Sequence, residues 1–472
     1  MNALHVLMPE ILIGVLAFVV LGVDLVLPER RKSLAGWIAA IGMLAVAALC
    51  AAWWGGRGAI GSIYRLDDFA LLFKVLALLM GAVVVLMSLD YARRTLSGAG
   101  EYYGLIVLAV LGMVVMTGAT ELLTAYIGLE LLNFSLYVLV SYRKWNPKSN
   151  EAGTKYILLG AISSAVLLYG ISLLYGLTGE TTYAGLSANL VLPPSPGLIA
   201  ALVLVLGGLG FKIAAVPFHM WAPDVYEGAP TPVTSFLAVA AKAAGFGLLV
   251  RLFAEGFLPV VGLILPAIAA LAAVTMVLGN TVAIRQSNIK RLLAYSSIGQ
   301  VGYLLVGLAV LNAASVEAIV LHIAGYAATN FAAFLAVVIV ENRTGDENVE
   351  DYAGLAEREP FAAFALVVAF FSLAGMPLLA GFVTKFYLFL TAAQAGVLWL
   401  VAIAVTMSVV SLYYYLMVMK QMYVAPPSKL GRLGMTRVER LLLGTLIALV
   451  IAIGIAPEPL FVAVRTAVRP LF

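Results

Sequence analysis

The 472 residues are 63% hydrophobic and only 11% charged, and the formal net charge is +4 at pH 7. Soluble domains carry about 25% charged residues, and apolar runs of 18 residues or more recur along this whole chain, which excludes a soluble fold. The strand alternation of a transmembrane barrel is absent as well. The composition therefore predicts an all-α polytopic membrane protein, with a single membrane domain over residues 1–472.

Cysteine usage and known motifs restrict the chemistry further. The single cysteine, Cys50, excludes an internal disulfide and any cysteine-rich metal or cluster site. The chain contains no CxxC pair, no P-loop and no dinucleotide fingerprint. We therefore expect no redox or covalent active site, no bound metal and no cofactor in this chain. Any redox cofactor or nucleotide would belong to a partner protein, and the small positive charge reflects membrane topology rather than a nucleic-acid partner.

Apolar runs between charged or Pro/Gly breaks predict about 14 transmembrane helices. The first is expected to be a retained helix, because no small-residue cleavage site follows it. If the N-terminus lies outside, 18 of the 28 basic residues fall in inside loops, 5 in outside loops and 5 within spans. This asymmetry predicts that both termini lie outside. The predicted spans lie near 4–27, 33–54, 69–89, 102–118, 120–142, 152–176, 197–218, 231–254, 258–284, 292–311, 316–340, 360–391, 395–424 and 438–461.

Two of these spans carry a lysine beside helix-breaking residues. Span 7 contains Gly207, Lys212 and Pro217, and span 12 contains Pro377 and Lys385. A shift of five spans reverses orientation, so the pattern predicts two inverted five-helix repeats, spans 4–8 and 9–13, each with a broken helix. We expect the helix breaks at Gly207, Pro217 and Pro377. The expected segments are a three-helix part over 1–101, the repeats over 102–254 and 258–424, and one C-terminal helix over 438–472.

Several ionisable side chains lie deep in apolar runs, namely Glu130, Lys212, Lys242 and Lys385. A lysine near the centre of a membrane helix costs about 2.5–3.5 kcal/mol on insertion scales, which is hard to explain as packing. A lysine beside Glu130 would be held charged, and separation of the two would favour release of its proton. Lys155, Lys212 and Lys242 are the candidate partners. The alternative is a static buried ion pair.

Interfacial positions are the competing interpretation for the other charged groups. A lysine can extend its apolar stem and keep its ammonium group at the membrane surface. We expect this for Lys74, which lies six residues from Asp68, and the possibility is open for Lys155 and Lys385. Glu10 lies near a span end and is interpreted as interfacial.

The histidines carry two interpretations. His322 could pass protons between Lys242 and Lys385, because imidazole exchanges protons near neutral pH. A satisfied core histidine is an equal alternative for His322. His219, in the sequence PFHMW, is expected to anchor a loop rather than to carry protons.

Four stretches of the chain resemble a known family. They are FKIAAVPFHMWAPDVYEGAPTPVTSFLAVAAKAAGF, EAGTKYILLGAISSAVLLYGISLLYGLTG, GNTVAIRQSNIKRLLAYSSIGQVGY and GMPLLAGFVTKFYLF. They are similar to the subunit N family of bacterial NADH:quinone oxidoreductase (respiratory complex I), whose members are antiporter-like membrane subunits. The loop PDVYEGAPTPVT has the N-type form, whereas subunits L and M usually carry a loop closer to PDAHTEAPT. The resemblance covers roughly residues 100–420.

The resemblance implies a proton-translocating subunit driven by redox chemistry in partner subunits, which would hold FMN, iron–sulfur clusters and quinone. It implies a multi-pass location in the bacterial cytoplasmic membrane, beside other membrane subunits of complex I and especially its antiporter-like neighbours. Glu130 would be the carboxylate of a charge pair. Lys212 would be the pumping lysine, with Lys155 nearby. Lys242 would be the connecting lysine and Lys385 the terminal site that releases protons outward.

Rival functions are weighed against this interpretation. A related subunit of a multisubunit sodium/proton antiporter or of a membrane-bound hydrogenase is close, but the N-type loop argues against it. A stand-alone secondary transporter would need a midplane substrate cavity, whereas the central spans show a series of single ionisable groups. A lipid-facing structural subunit would leave Glu130, Lys212 and Lys242 without a reason to be charged.

Overall fold

The computed structural model describes residues 3–28, 31–345, 347–427 and 431–472. Long helices dominate it, because a backbone inside lipid must satisfy its own N–H and C=O groups. A short antiparallel hairpin, with Gly58 opposite Leu66, packs beside the N-terminal helices. These first elements are α1 (Ala3–Val6), α2 (Met8–Val26), α3 (Ser33–Ala52), β1 (Gly58–Ile60), β2 (Tyr64–Leu66) and α4 (Asp68–Thr95).

The middle of the chain forms two further groups of helices. The first group is α5 (Ala99–Gly118), α6 (Leu122–Val140), α7 (Pro147–Thr178), α8 (Tyr183–Asn189), α9 (Pro196–Ile213), α10 (Trp221–Gly228), α11 (Thr231–Ala238) and α12 (Ala240–Arg251), followed by a π-helical turn (Leu252–Gly256) and a 3₁₀ turn (Leu258–Val260). The second is α13 (Val261–Ala283), α14 (Ile289–Leu308), α15 (Ala313–Thr344), a 3₁₀ turn (Val349–Tyr352), α16 (Leu355–Arg358), α17 (Pro360–Ala374), α18 (Ala380–Gln394) and α19 (Leu398–Tyr423).

Every predicted span overlaps a helix, although the number of membrane crossings stays a prediction. Within the described ranges, 12 helical segments are long and apolar enough to cross a membrane. The two other predicted spans correspond to α14 and to the α17–α18 pair. α14 mixes Ser296, Ser297 and Gln300 with its apolar residues, and α17 is a shorter apolar helix of 15 residues. The all-α membrane fold predicted from composition is thus confirmed.

Burial separates the internal helices from the peripheral ones. The apolar window of the α11–α12 segment is 100% buried and that of α15 is 94% buried, whereas those of α19 and of α20 (Arg437–Ile455) are each 28% buried. A helix that is apolar on all sides and fully enclosed must pack against protein in every direction. The protein interior is therefore organised around α11–α12 and α15.

Two predictions about the extent of helices are wrong. Gly207 does not break a helix, since α9 runs without interruption from Pro196 to Ile213. One glycine costs a helix only about 1 kcal/mol, and this glycine cluster allows close packing: a Cβ on Gly208 would come within 3.1 Å of the Ser163 carbonyl oxygen. The C-terminal segment is also not one helix.

That segment consists of α20 (Arg437–Ile455), α21 (Glu458–Val468) and a 3₁₀ turn (Arg469–Leu471). The interruption falls at Ala456 and Pro457. Proline has no N–H to continue the helical hydrogen bonds, and its ring disfavours a helical conformation in the residue before it. The interruption is therefore encoded locally.

A carboxylate cluster joins the first and last parts of the chain. Asp90 of α4 pairs with Arg93 at 2.7 Å and with Arg94 at 2.8 Å on its own helix. It also lies 3.4 Å from Arg343 of α15, and Arg343 donates two hydrogen bonds to Glu439 of α20 at 2.9 and 2.8 Å. The bidentate geometry fixes both partners in orientation. This cluster connects α4, α15 and α20.

Candidate functional site

The first helix interruption lies directly after Lys212. α9 ends at Ile213, and Ala214 adopts a left-handed conformation with φ 58°, which is costly for a residue with a side chain. Pro217 lies in the interruption, as predicted, and the chain becomes helical again at Trp221. Lys212 lies in the last turn of α9 and is only 4% exposed. A cation at this end of a helix is stabilised by the negative end of the helix dipole.

Lys212 reaches Glu130 through an intermediate side chain. Its Nζ donates a hydrogen bond to Asn133 Oδ1 at 2.6 Å, and Asn133 Nδ2 donates to Glu130 Oε1 at 3.0 Å. Ser164 of α7 also donates to Glu130. Of the three lysines considered as partners for Glu130, Lys212 is the one connected to it. Asn133, one helical turn beyond Glu130, was missed by the sequence analysis.

Lys242 lies in the fully enclosed α12 and has neutral neighbours. Its Nζ donates to Ser297 Oγ at 2.8 Å and lies 5.7 Å from the ring centroid of Tyr226. One turn further along α12, a Cβ on Gly245 would lie 3.7 Å from Lys212 Cγ. The aliphatic stem of Lys212 therefore packs against the face of α12 that also carries Lys242.

Lys385 lies over the second interruption. α17 ends at Ala374 and α18 begins at Ala380, so Pro377 lies within the break, as predicted. Lys385 Nζ donates to the Leu373 carbonyl at 2.7 Å and to Ser408 Oγ at 3.1 Å, and it lies 4.3 Å from the ring centroid of Tyr303. The end of a helix leaves carbonyls without helical partners, and Lys385 satisfies one of them.

Polar side chains of α14 lie between Lys242 and Lys385. Ser297 contacts the first lysine, Gln300 Nε2 donates to the Leu373 carbonyl at 3.2 Å, and the Tyr303 ring faces the second lysine. These three residues recur every three positions, which places them along one side of the helix. Polar groups thus extend from one buried lysine to the next.

The two histidines differ in position. His322 is 2% exposed, and its Nδ1 lies 2.9 Å from Oγ1 of Thr384, the neighbour of Lys385. Its Nε2 is buried and has no hydrogen-bond partner among the described residues. His219 lies in the loop between α9 and α10, where burial lowers its pKa below the ordinary value. His322 is thus beside the second half of the site, and His219 lies outside it.

Lys155 has its ion-pair partners at the surface. Its side chain is 40% exposed and pairs with Glu151 at 2.7 Å and with Asp224 of α10 at 2.6 Å. No contact joins Lys155 to Lys212 among the described residues, and the exposure and surface partners of Lys155 favour the interfacial alternative. A lysine at the first turns of a long helix reaches the surface with its own stem. For Lys385, which is 3% exposed, the interfacial alternative is wrong.

Ion pairs hold α10 between α7 and α14. Arg291 contacts Asp224 at 2.7 Å and Glu227 at 3.1 Å, and Lys148 contacts Glu227 at 2.9 Å. Burial alone would raise the pKa of Asp224, but hydrogen bonds from Lys155 and Arg291 more than offset this and lower it below its ordinary value of 3.8. The short helix after the first interruption is therefore fixed at the surface by charges.

A separate buried pair corrects the interpretation of Lys74 and Glu10. Lys74 is fully buried, and its Nζ lies 2.7 Å from Glu10 Oε1. Tyr64 donates a hydrogen bond to the same carboxylate. Lys74 is thus not interfacial, and Glu10 is 7% exposed rather than solvated. The pairing joins α2 to α4, which lie far apart in sequence, so spacing along the chain gave no signal for it.

Arginines form two further pairs near helix ends, one buried and one partly buried. Arg251 of α12 donates to Asp67 at 2.6 and 2.9 Å, and Arg143 pairs with Glu341 of α15. Arginine stays protonated in proteins. In the described ranges, no group of three His, Cys, Asp or Glu side chains is arranged to hold a metal ion.

Comparisons with known proteins find relatives of this chain. The family described as NADH:quinone oxidoreductase/Mrp antiporter, TM, matches residues 119–411. The NADH-quinone oxidoreductase subunit N of Desulforamulus reducens is 43% identical over 453 residues, which cover 96% of this chain and 95% of that protein. The same-named protein of Heliobacterium modesticaldum is 46% identical over 412 residues and 87% of each chain.

Among solved structures, a chain of respiratory complex I from Thermus thermophilus matches with a TM-score of 0.82 and 33% identity. The alignment covers 97% of this chain and 99% of that one.

Proposed function

The chain belongs to the NADH-quinone oxidoreductase subunit N family, and we propose that protons cross it along the buried lysines Lys212, Lys242 and Lys385. It is a proton-translocating membrane subunit of that oxidoreductase, and its partners are other membrane subunits of respiratory complex I. One observation carries the proposed path. Each of the three lysines is buried, and each donates a hydrogen bond to a neutral group. The acceptors are Asn133 for Lys212, Ser297 for Lys242 and the Leu373 carbonyl for Lys385.

Neutral partners matter because they leave both protonation states accessible. Burial disfavours a charged ammonium group, and a carboxylate in contact would restore the charge permanently. A lysine bonded to an amide, a hydroxyl or a carbonyl can lose its proton without leaving an unpaired carboxylate behind. Such a group can receive a proton and pass it on.

The proposed order follows the contacts. Glu130 sets the charge of Lys212 through Asn133. Lys242 receives the proton next, because the stem of Lys212 packs against the face of α12 that carries Lys242. The polar side of α14 leads on to Lys385, with His322 beside it, and Lys385 releases the proton. Lys155 lies at the surface beside α10, where it would hold the entrance rather than carry protons in the interior.

The redox chemistry is assigned to partner subunits, which would hold FMN, iron–sulfur clusters and quinone. The distribution of basic loops supports an orientation with both termini outside, and the bacterial relatives support a location in the bacterial cytoplasmic membrane. In this arrangement redox chemistry in the partner subunits drives proton translocation. This chain supplies the groups that bind and release the protons.

The test uses the whole complex at its native level. Lys212→Ala and Glu130→Ala complexes are purified and reconstituted, and NADH:quinone reductase activity and proton pumping are measured. We expect both variants to assemble, with pumping reduced by about tenfold or more, since a positioned proton-transfer group contributes roughly 10²–10⁴-fold to a rate. Lys148→Ala, a surface lysine paired with Glu227, is the control and should pump normally. Normal pumping and normal reductase rates in both test variants would reject the path.

A further inference from the structure

Asn133 lies between the two groups that the proposed function couples. It is 7% exposed, and its two ends are engaged in opposite ways: Oδ1 accepts from Lys212 Nζ at 2.6 Å, and Nδ2 donates to Glu130 Oε1 at 3.0 Å. The described residues contain no ion pair within 4 Å for Lys212. Glu130 therefore acts on Lys212 across an amide and not by contact.

The chemistry of the amide decides what can pass between them. A primary amide has a carbonyl acceptor and an NH₂ donor group, and neither end gains or loses a proton near neutral pH. The lysine fixes the carbonyl towards itself and the carboxylate fixes the NH₂ group, so the amide is held in one orientation. The charge on Glu130 stabilises the protonated form of Lys212 through this aligned dipole. The amide cannot transfer the lysine proton to Glu130.

We propose that Asn133 is a positioning residue that couples the charge of Glu130 to Lys212 while preventing the Lys212 proton from passing to Glu130. This inference rests on the proposed function. Its consequence is directional. The proton of Lys212 is left with the α12 side, where Gly245 packs against its stem and Lys242 follows one turn away.

Glu130 has its own separate surroundings. Ser164 donates to it, and Ser164 Oγ lies 3.4 Å from the hydroxyl of Tyr126. The amide thus separates a carboxylate with hydroxyl neighbours from the row of lysines. The two sides exchange electrostatic influence but not protons.

Other titratable groups lie on the helices that pack around Glu130 and Lys212. α6 contributes Tyr126 and Tyr137, and α7 contributes Tyr156. α12 contributes Lys242, and α9 has Lys212 as its one titratable side chain. α11 has none in its described span, and α5 has its titratable groups, Glu101, Tyr102 and Tyr103, at its opposite end.

The experiment compares two substitutions of similar size in the reconstituted complex. Asn133→Asp places a carboxylate against Lys212, so the lysine should keep its proton: pumping should fall about tenfold or more at neutral pH, and the alkaline limb of its pH profile should move up by about one pH unit or more. Asn133→Leu removes the aligned dipole, so the alkaline limb should move down. Asn189→Asp on the exposed part of α8 is the control for the charge change and should leave the profile unmoved.

The outcomes separate the possibilities. Opposite displacements of the alkaline limb support the inference, because a role in packing alone would not change sign between the two variants. Wild-type pumping in Asn133→Asp, or limbs that stay in place or move together, would overturn it. If Asn133→Asp does not assemble, the limb of Asn133→Leu decides alone, and an unmoved limb overturns the inference. Normal pumping by Lys212→Ala would instead reject the proposed function.

Discussion

Two buried lysines on different helices, Lys74 of α4 and Lys212 of α9, have opposite kinds of partner. Lys74 is 0% exposed and lies 2.7 Å from the Glu10 carboxylate, while Lys212 is 4% exposed and donates to the neutral amide of Asn133. Burial is the same in both, but the partner differs. A carboxylate in contact holds an ammonium group charged, whereas an amide leaves it free to change. The partner, rather than depth in the membrane, separates a structural lysine from a proposed proton carrier.

The same contrast extends to the rest of the interior. Arg251–Asp67 and Arg143–Glu341 join cations to carboxylates near helix ends, as Lys74–Glu10 does. Lys242 and Lys385 have a hydroxyl and a carbonyl as their closest partners. Fixed pairs hold helices together at the edges of the fold, and lysines with neutral partners line its centre.

The largest effect should come from breaking a fixed pair. Lys74→Met leaves Glu10 buried without its cation, and removal of one partner from a buried ion pair costs about 3–5 kcal/mol. Replacement of both residues, Lys74→Met with Glu10→Met, should recover most of this loss. Thermal unfolding of the assembled complex measures the stability, and pumping per assembled complex should stay at the wild-type level in both variants. If Lys74→Met is as stable as wild type, or assembles but pumps poorly, the distinction between a structural Lys74 and a proton-carrying Lys212 is contradicted.

A smaller effect should follow when a lysine with a neutral partner is given a carboxylate. Ser297→Asp places an acid against Lys242 Nζ, so this lysine should stay charged. Pumping should then fall by about tenfold, because an opposite charge in contact favours the protonated lysine by roughly one pKa unit or more. Ser297→Ala is the matched control. It removes one hydrogen bond worth about 0.5–1.5 kcal/mol and should keep most of the pumping. Equal loss in both variants would show that the hydroxyl itself, and not neutrality, is required.

The smallest effect is expected at the surface pairs that hold α10. The pKa values of Asp224 and Glu227 are lowered from 3.8 and 4.5, where burial raises them but ion pairs dominate. Carboxylates with lowered pKa values stabilise the fold above their ordinary pKa and lose this contribution as pH falls through the folded value. Because the pairs are partly exposed, each is worth at most about 1 kcal/mol.

Hydrogen exchange of residues 221–228 measures this contribution. Protection should be constant at neutral pH and decrease below about pH 4.5, as the first of these carboxylates begins to protonate. Asp224→Asn should show the weaker protection at neutral pH and a smaller change on acidification. Protection that rises on acidification would contradict the assignment.

The sequence was sufficient for features that depend on local chemistry. Apolar run length identified the helices, and a proline in each of the two interruptions, Pro217 and Pro377, located them. Depth within an apolar run also indicated that Lys212 and Lys242 are buried, while it left an interfacial position open for Lys385, which the structure buries. In each case the responsible residues lie within a few positions of the effect.

Features that depend on contacts across the fold were missed. Lys74 was assigned to the surface because Asp68 lies nearby in sequence, yet its partner Glu10 is on another helix. Asn133 carries no charge and so gave no signal, although it occupies the place expected for a direct pair. The role of Gly207 was misjudged because glycines can occur in a helix for close packing, as Gly208 does against α7, and the sequence alone does not distinguish them from glycines that end a helix.

The cluster formed by Asp90, Arg343 and Glu439 also has a consequence for biosynthesis. Translation proceeds at about 5–20 residues per second, so Asp90 enters the membrane long before Arg343 and Glu439 have been made. Its carboxylate is not left alone during that interval, because Arg93 and Arg94 are synthesised with it on the same helix. The nascent α4 thus carries its own counterions. When α20 has been made, the Asp90 carboxylate also contacts Arg343, which binds Glu439, and the cluster then joins α4, α15 and α20.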